Sequence, residues 1–423
     1  TAALLWRPGG SWLVEASAGT SRSRTQEQES QAGLLFNMQD TLNRFHELAL
    51  KADGSLLDLP GGSVKLAVGA NVRWEHYGSL FATSVNVPTR TVAGRTVTAA
   101  FGELNLPLVS SRNAMGGVQR LTLTAAGRVE HYEKVGSTFN PKLGLLWSPV
   151  RGLDVRGSYG TSFRAPLLSE SFGVYNIFLF PAAILYRDPA NAIEGVGAAV
   201  IGNNPDVRPE TSRSLSLGFE ATPTGVPGLR IGANYYRIRF SNRIALPSPQ
   251  VDLIGVPGFE PVVTLDPNLA SVEGLFAGAN QLLDFSGPGF TDGNATPADV
   301  VAVVDNRVSN TAATRTSGLD LMLNYARSLG AHDLGLALNA NRVFRFDDKL
   351  TSASPWIRTV NTPFHNVDWR ARAGLSWRHG PFSAAAFLNY TAPYRDDRAV
   401  EVRSVGSWTT VDLGLAYESR ASW

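Results

Sequence analysis

The sequence predicts an all-β chain, a transmembrane antiparallel β-barrel, and three observations predict it. Apolar and polar residues alternate with a period of two along arm after arm, so each arm has one greasy and one wet face. Short turn-forming connections alternate with long ones, and aromatic residues gather near the arm ends. No apolar run in the 423 residues is long enough for a membrane-crossing helix. Mean hydropathy is close to zero, as expected where lipid-facing and lumen-facing residues cancel along each strand.

In chain order, Val64, Leu66, Val68, Ala70, Val72 and Trp74 oppose Lys65, Ala67, Gly69, Asn71, Arg73 and Glu75. Leu121, Leu123, Ala125, Gly127 and Val129 oppose Thr122, Thr124, Ala126, Arg128 and Glu130. Leu143, Leu145 and Trp147 alternate with Lys142, Gly144 and Ser148, with Leu146 the exception. After the turn Pro149-Val-Arg-Gly152, the face Leu153, Val155, Gly157, Tyr159, Thr161 and Phe163 opposes Asp154, Arg156, Ser158, Gly160 and Ser162. The same design returns at Leu215–Ala221, Leu319–Tyr325, Leu334–Asn341 and Val411–Tyr417. Roughly 15 such arms are expected, many near the ~9–11 residues that a tilted strand needs to cross a bilayer.

The short connections carry turn chemistry: Pro8-Gly-Gly10, Pro60-Gly-Gly62, Pro149–Gly152, Pro227-Gly228 and His379-Gly-Pro381. Long ones are expected at about 20–40, 78–95, 164–210, 243–312, 346–362 and 393–405. An outer-membrane barrel has this asymmetry, with short turns in the periplasm and long loops outside. Trp74, Tyr132, Trp147, Tyr159, Phe163, Tyr325, Trp377, Tyr390 and Tyr417 suit an interfacial belt. A β-sandwich or propeller is the rival fold, but it needs a buried apolar face on every strand and no such alternation of connections. Net charge is +2 and charged residues are 17% of the chain, so bulk charge suggests neither nucleic acid nor an acidic partner. Cysteine is absent, which is merely compatible with an outer-membrane or periplasmic setting.

Thr1-Ala-Ala-Leu-Leu-Trp6 lacks the charged region and cleavage site of a signal peptide, and Glu418–Trp423 reads as a turn. Both ends look cut, and a fragment of a longer protein is expected. Phe139-Asn-Pro-Lys-Leu-Gly-Leu-Leu-Trp-Ser-Pro149, Ser158-Tyr-Gly-Thr-Ser-Phe-Arg-Ala-Pro166 and Gly202-Asn-Asn-Pro-Asp-Val-Arg-Pro-Glu-Thr-Ser212 resemble the β-barrel of TonB-dependent outer-membrane receptors. Ala99-Ala-Phe-Gly-Glu-Leu104 and Ser407-Trp-Thr-Thr-Val-Asp-Leu413 carry the same resemblance, in the order the family uses.

The resemblance implies that residues 1–423 are part of a plugged barrel of about 22 strands in the outer membrane of a Gram-negative bacterium. By the same resemblance, the family's plug domain, TonB-contacting box and closing strand are expected to lie outside this sequence. It further implies import of a scarce solute (ferric siderophore, cobalamin or oligosaccharide class) with TonB-coupled energy. Implied partners are membrane lipid, the barrel's own plug, a TonB-type complex and the solute, with no cofactor. A passive porin is the alternative.

No catalytic constellation emerges. The six histidines are scattered, no Gly-x-Ser-x-Gly elbow is present, and Asp347-Asp348 and Asp396-Asp397 lack the oxygen spacing of a calcium loop. By alternation Lys65, Arg73, Arg128, Glu130, Lys142, Arg156, Glu220, Asp320, Arg370 and Arg372 face the lumen. The resemblance implies that some of them hold the plug; a polar wall in contact with water is the other reading. The long outer connections carry Phe172, Tyr175, Phe178, Phe180 and Tyr186, then Phe259, Phe276, Phe285 and Phe290. Such rings could stack on a solute or pack the loops against one another.

Overall fold

The computed structural model describes residues 1–31, 34–83, 88–396 and 401–418. Eight strands come first: β1 (Ala2–Gly9), β2 (Trp12–Gln31), β3 (Leu34–Leu59), β4 (Gly62–Thr83), β5 (Thr89–Val109), β6 (Arg120–Tyr132), β7 (Gly136–Ser148) and β8 (Leu153–Arg164). Helix α1 (Leu168–Phe172), β9 (Tyr175–Pro181) and β10 (Val196–Gly202) separate β8 from the hairpin β11 (Glu210–Ala221) and β12 (Leu229–Ala245). Next come β13 (Val263–Leu265), α2 (Leu269–Gly278), β14 (Gln281–Asp284) and β15 (Val300–Arg307), then β16 (Ser309–Leu329) and β17 (His332–Lys349). The last elements are β18 (Ile357–Arg358), β19 (Trp369–His379), β20 (Phe382–Thr391), β21 (Tyr394–Asp396), β22 (Arg403–Val405) and β23 (Trp408–Tyr417).

Among the described residues fifteen strands form one antiparallel path, β1 to β8, β11, β12, β16, β17, β19, β20 and β23, and β18 joins it at β17. The predicted all-β class and strand number are borne out. Register carries the two faces unchanged from strand to strand. One row reads Trp147, Val155, Phe219, Ala233, Leu321, Ala340, Ala371 and Tyr390, each directly opposite the next. The row beside it reads Arg156, Gly218, Asn234, Asp320, Asn341, Arg370 and Thr391. A one-residue slip at any pair would swap these faces, so the apolar band itself specifies the pairing.

The first of those faces stands bare. Leu143 is 58% exposed, Leu217 51%, Leu375 54% and Leu413 78%. A continuous apolar wall of this extent is not tolerated in water, and it excludes the sandwich, where such side chains would meet a second sheet. No helix among the described residues is long and apolar enough to cross a membrane; crossing here falls to strands.

The short turns form where glycine is needed. Gly152 (φ +79°) and Gly228 (φ +88°) occupy left-handed backbone, and a Cβ on either would come within 2.3 Å of Thr222 O or 1.9 Å of Ala326 O. Each turn thus lies against the neighbouring one, with Thr222 N donating to Gly152 O and Ala326 N to Gly228 O.

Two expected loops are strands instead. β2 and β3 stay paired up to Gln31 and Leu34, and β4 and β5 up to Phe81 and Thr89, while 32–33 and 84–87 lie outside the described residues. The β2 extension, Thr20 to Gln28, is polar on both faces, so alternation vanishes although pairing continues; Arg24 clasps Asp40 across it at 2.9 and 2.5 Å. At 393–405, β21 pairs with β22, and 397–400 (Asp397 of the second acidic pair included) lie outside the described residues, as do 419–423 of the expected terminal turn. Tyr132 also departs from the interfacial belt. It is 7% exposed on the inward face, with the Arg95 guanidinium 5.0 Å from its ring centre and Phe163 meeting it edge-on.

The connections after β8 and β12 fold together into a second, five-stranded sheet of order β13-β15-β10-β9-β14. β10 runs parallel to β15 and β14 parallel to β9. Apolar clusters cover both faces: Leu185, Leu253, Ile254 and Val304 on one, Ile177, Leu179, Val200 and Val272 on the other. A sheet buried on both sides needs continuous apolar strands, which Ile177–Phe180, Ala198–Ile201 and Val300–Val304 provide.

Candidate functional site

The inward wall groups the predicted lumen residues into two sets. On β4 to β6, Arg73 Nε donates to Glu75 Oε1 at 2.7 Å, Arg95 Nε to Glu75 Oε2 at 2.6 Å and Arg95 Nη1 to Pro166 O at 2.7 Å. One register step away, Arg128 Nε donates to Glu130 Oε1 at 2.7 Å and Arg128 Nη2 to Asn71 Oδ1 at 3.2 Å, while Asn71 Nδ2 donates to Glu47 Oε1 at 2.7 Å. Arg73, Arg128 and Glu130 are therefore committed to a cross-strand ladder that stiffens the wall.

Arg156, Asp320, Arg370 and Arg372 belong to a different place. They line a recess of about 560 Å³ on the inward face of β8 to β20, together with Asn234, Asn339, Asn341 and Asn389. Arg156 is held by Glu220, which also receives Arg230. Asp320 accepts from Asn341 Nδ2 at 2.7 Å. Arg372 lies 4.5 Å from the Phe387 ring centre, and among the described residues neither Arg370 nor Arg372 has a carboxylate partner. Free guanidinium forks flanked by carboxamides suit carbonyl and carboxylate oxygens of a polypeptide or an anionic solute. The recess offers hydrogen bonds and charge. Among the described residues no group of three or more His, Cys, Asp or Glu side chains could hold a metal.

At the long-connection end the structure places the aromatic candidates mostly inside the second sheet. Phe178 and Phe180 stack (6.4 Å), Phe180 stacks on Phe285 (5.8 Å), and Tyr186 lies buried beside Leu185. Tyr175 donates its hydroxyl to Leu275 O at 2.9 Å under the Arg307 guanidinium. Phe172, at the end of α1, is 37% exposed, with Lys134 Nζ 5.7 Å from its ring centre. Packing is the role these positions favour for Tyr175, Phe178, Phe180, Tyr186 and Phe285, whereas Phe172 and Phe290 (56% exposed) present rings at the surface.

Sequence reasoning missed what anchors this region. Leu168 of α1 packs on Tyr77 and Ala93, so the segment after β8 crosses the inward face of β4 and β5. Glu210, 3% exposed, takes the Arg164 Nε and the Ile244 amide (2.7 Å), and Arg164 spans on to both oxygens of Glu170 at 3.0 Å. Asn306, 1% exposed, bonds Ser248 and Gln250 backbone and ties β15 to the chain after β12. The Arg-Ala-Pro and Pro-Glu-Thr-Ser runs were the available signal for the Arg164–Glu210 pair.

One carboxylate makes part of this region acid-sensitive. Burial opposes ionisation of Asp284, yet hydrogen bonds from Ser286 and from the Ala295 amide (2.8 Å) outweigh it and hold its carboxyl below the usual range. A depressed folded-state value contributes stability that is present above the unfolded value of about 3.9 and lost as pH falls through the folded one. Amide protection over 284–296, corrected for intrinsic exchange, should hold from about pH 7 to 5 and fall below about pH 4; Asp284→Asn should abolish that fall.

A family model described as TonB dependent receptor-like, beta-barrel, matches residues 3–423. Over 196 residues the chain is 27% identical to the iron-regulated outer membrane virulence protein of Vibrio cholerae, covering 46% of this chain and 26% of that protein. The chain thus spans about a quarter of the length of that relative. Among solved structures, a mutant of the ferric enterobactin receptor PfeA from Pseudomonas aeruginosa in complex with enterobactin is similar at TM-score 0.52 and 15% identity, with 99% of this chain and 62% of that one covered. The siderophore receptor PirA from Pseudomonas aeruginosa gives 0.50 and 13%, with 98% and 63% covered. The RagAB peptide transporter gives 0.52 and 11%, with 92% and 46% covered. At these identities the likeness to solved structures concerns the fold.

Proposed function

Since the chain belongs to the TonB-dependent receptor β-barrel family, we propose that it is the barrel of an import receptor that takes up a scarce solute with TonB-coupled energy. It resides in the outer membrane of a Gram-negative bacterium. The observation that carries the proposal is the family's barrel, matched over 3–423, on a sheet whose outward face is apolar and bare and whose inward face is polar. The long connections face outside and the short turns the periplasm.

In this reading the second sheet and α1 form the vestibule, and Phe172 and Phe290 offer exposed rings to a solute. Arg73, Arg128, Glu130, Arg156, Asp320, Arg370 and Arg372 face a plug domain. The unpaired Arg370 and Arg372 bond the plug's carbonyl and carboxylate oxygens, and an energised partner on the periplasmic side breaks those bonds to open the path. The barrel performs no covalent chemistry. A ferric siderophore is the favoured cargo, because the relatives carry iron-related names; cobalamin and oligosaccharides are the other classes.

Uptake by cells carrying the intact receptor tests this. A labelled ferric catecholate, cobalamin and a maltooligosaccharide are offered with and without an uncoupler. One of the three should accumulate, and accumulation should stop when the proton gradient collapses or TonB is deleted. Uptake indifferent to both treatments would mean a passive porin.

A further inference from the structure

The outward wall changes character abruptly at one level of four neighbouring strands. Going toward the long connections, β11 passes from Phe219, Leu217 and Leu215 to Arg213, and β12 from Ile231, Ala233 and Tyr235 to Arg237 and Arg239. β16 passes from Leu323, Leu321 and Leu319 to Arg315, and β17 from Leu338 and Ala340 to Arg342 and Arg345. Register sets Arg213 opposite Arg239, Arg239 opposite Arg315 and Arg315 opposite Asp347, while Arg237 and Arg345 flank Ser317 one step lower.

Like charges directly opposite across strands are destabilising, and arginine cannot shed its proton to escape. Asp347 answers part of this charge, taking Arg315 at 2.8 Å and Arg345 at 3.5 Å. Arg213, Arg237 and Arg239 are exposed and, among the described residues, have no carboxylate partner. Rings mark the depth. Tyr235 stacks on Phe344, and the Arg342 guanidinium lies 5.9 Å from the Phe344 and 5.1 Å from the Trp369 ring centres. Such a girdle sits at headgroup level, which puts the arginines just above the hydrocarbon edge.

We propose that this wall binds the phosphate groups of a phosphorylated glycolipid in the outer leaflet, with Arg213, Arg237, Arg239, Arg315 and Arg345 as its ligands. Neighbouring strands lie about 4.8 Å apart and same-face residues about 7 Å apart along a strand, so two forks from adjacent strands reach one phosphate. The glycolipid's acyl chains lie against Leu215, Leu217 and Leu319 below. Its phosphates supply the counter-charge that the arginine row lacks. The proposal rests on the orientation given above, with the long connections outside.

The test uses the intact receptor in phosphatidylcholine nanodiscs, titrated with diphosphoryl lipid A, the dephosphorylated glycolipid and inorganic phosphate. Diphosphoryl lipid A should bind and the dephosphorylated form should not. The double variant Arg213→Gln/Arg239→Gln, whose side chains make no structural ion pair, should weaken binding about tenfold or more while running as a folded barrel on unheated gels. Unchanged affinity of that variant, or equal binding of the dephosphorylated glycolipid, would overturn the site. Saturation by inorganic phosphate at the same phosphate concentration would make it a free-anion site and overturn the lipid reading. Protease access to 286–296 on whole cells reports orientation separately; absence of cleavage would remove the outer leaflet from the proposal and leave the import reading standing.

Discussion

Leu336→Arg should abolish assembly of the intact receptor in membranes, whereas Asn339→Arg should leave it assembled. The two positions lie three residues apart on β17 and face opposite ways. Leu336 stands between Tyr325 and Leu375 in the bare apolar wall. An arginine on the lipid face near the bilayer middle costs about 2–4 kcal/mol. Loss of the leucine's contact with hydrocarbon adds roughly 1.5–3 kcal/mol. Asn339 stands between Met322 and Arg372 and lines the recess. A guanidinium there keeps its water, and its closeness to Arg372 costs only about 0.2–1 kcal/mol. Gel mobility of unheated and heated outer-membrane extracts reads the outcome. Equal yields of folded barrel for both variants would show that the facing is wrong, and the membrane argument would go with it.

The barrel was legible in the sequence because hydrocarbon imposes the same demand on every strand. A residue facing lipid must be apolar and its neighbour facing the lumen is free to be polar, so Leu143-Gly144-Leu145 and Leu319-Asp320-Leu321 announce their faces locally. The strands above the membrane escape that demand, so the β2–β3 extension with Arg24 and Asp40 carries no period that marks it as strand. The second sheet was hidden twice. Its strands are apolar on both faces, which erases the two-residue period, and β10 finds its parallel partner β15 about a hundred residues later, which no local pattern records.

The inward wall was half legible. Alternation alone placed Arg73, Arg156 and Arg370 on it. Which of them is paired depends on neighbours brought by register: Glu75 engages Arg73 and Glu220 engages Arg156, but Arg370 meets Asn341 and Thr391 and keeps its charge free. The aromatic loop residues show the opposite limit. Composition cannot tell a ring that packs a loop from one that greets a solute, and only the partner, Leu185 for Tyr186 or open solvent for Phe172, separates them.

Glu210→Ala should loosen the strap, the segment from the end of β8 through α1 that crosses the inward face of β4 and β5. That carboxylate joins three pieces of chain: it starts β11, receives Arg164 from the end of β8 and receives the Ile244 amide from the end of β12. Arg164 in turn grips Glu170, whose Oε2 also takes the Leu167 amide at 2.7 Å and so closes the first turn of α1. Removing Glu210 strands a buried amide and leaves a guanidinium with one partner instead of two. Breaking a buried pair costs about 3–5 kcal/mol, and the partial exposure of Arg164 reduces this to roughly 2–3 kcal/mol. The barrel below has far more pairing than this and stays folded, so the loss should appear locally. Amide protection over 166–173 should drop about 30-fold or more, since each ~1.4 kcal/mol is a factor of ten. Protection in the β11–β12 ladder near Leu217 should not change. Glu210→Gln still accepts from Ile244 but gives Arg164 no charge, so its loss should fall between wild type and alanine. If 166–173 exchanges at the wild-type rate in the alanine variant, the Arg164–Glu210 pair does not hold the strap, and its packing on Tyr77 and Ala93 is sufficient by itself.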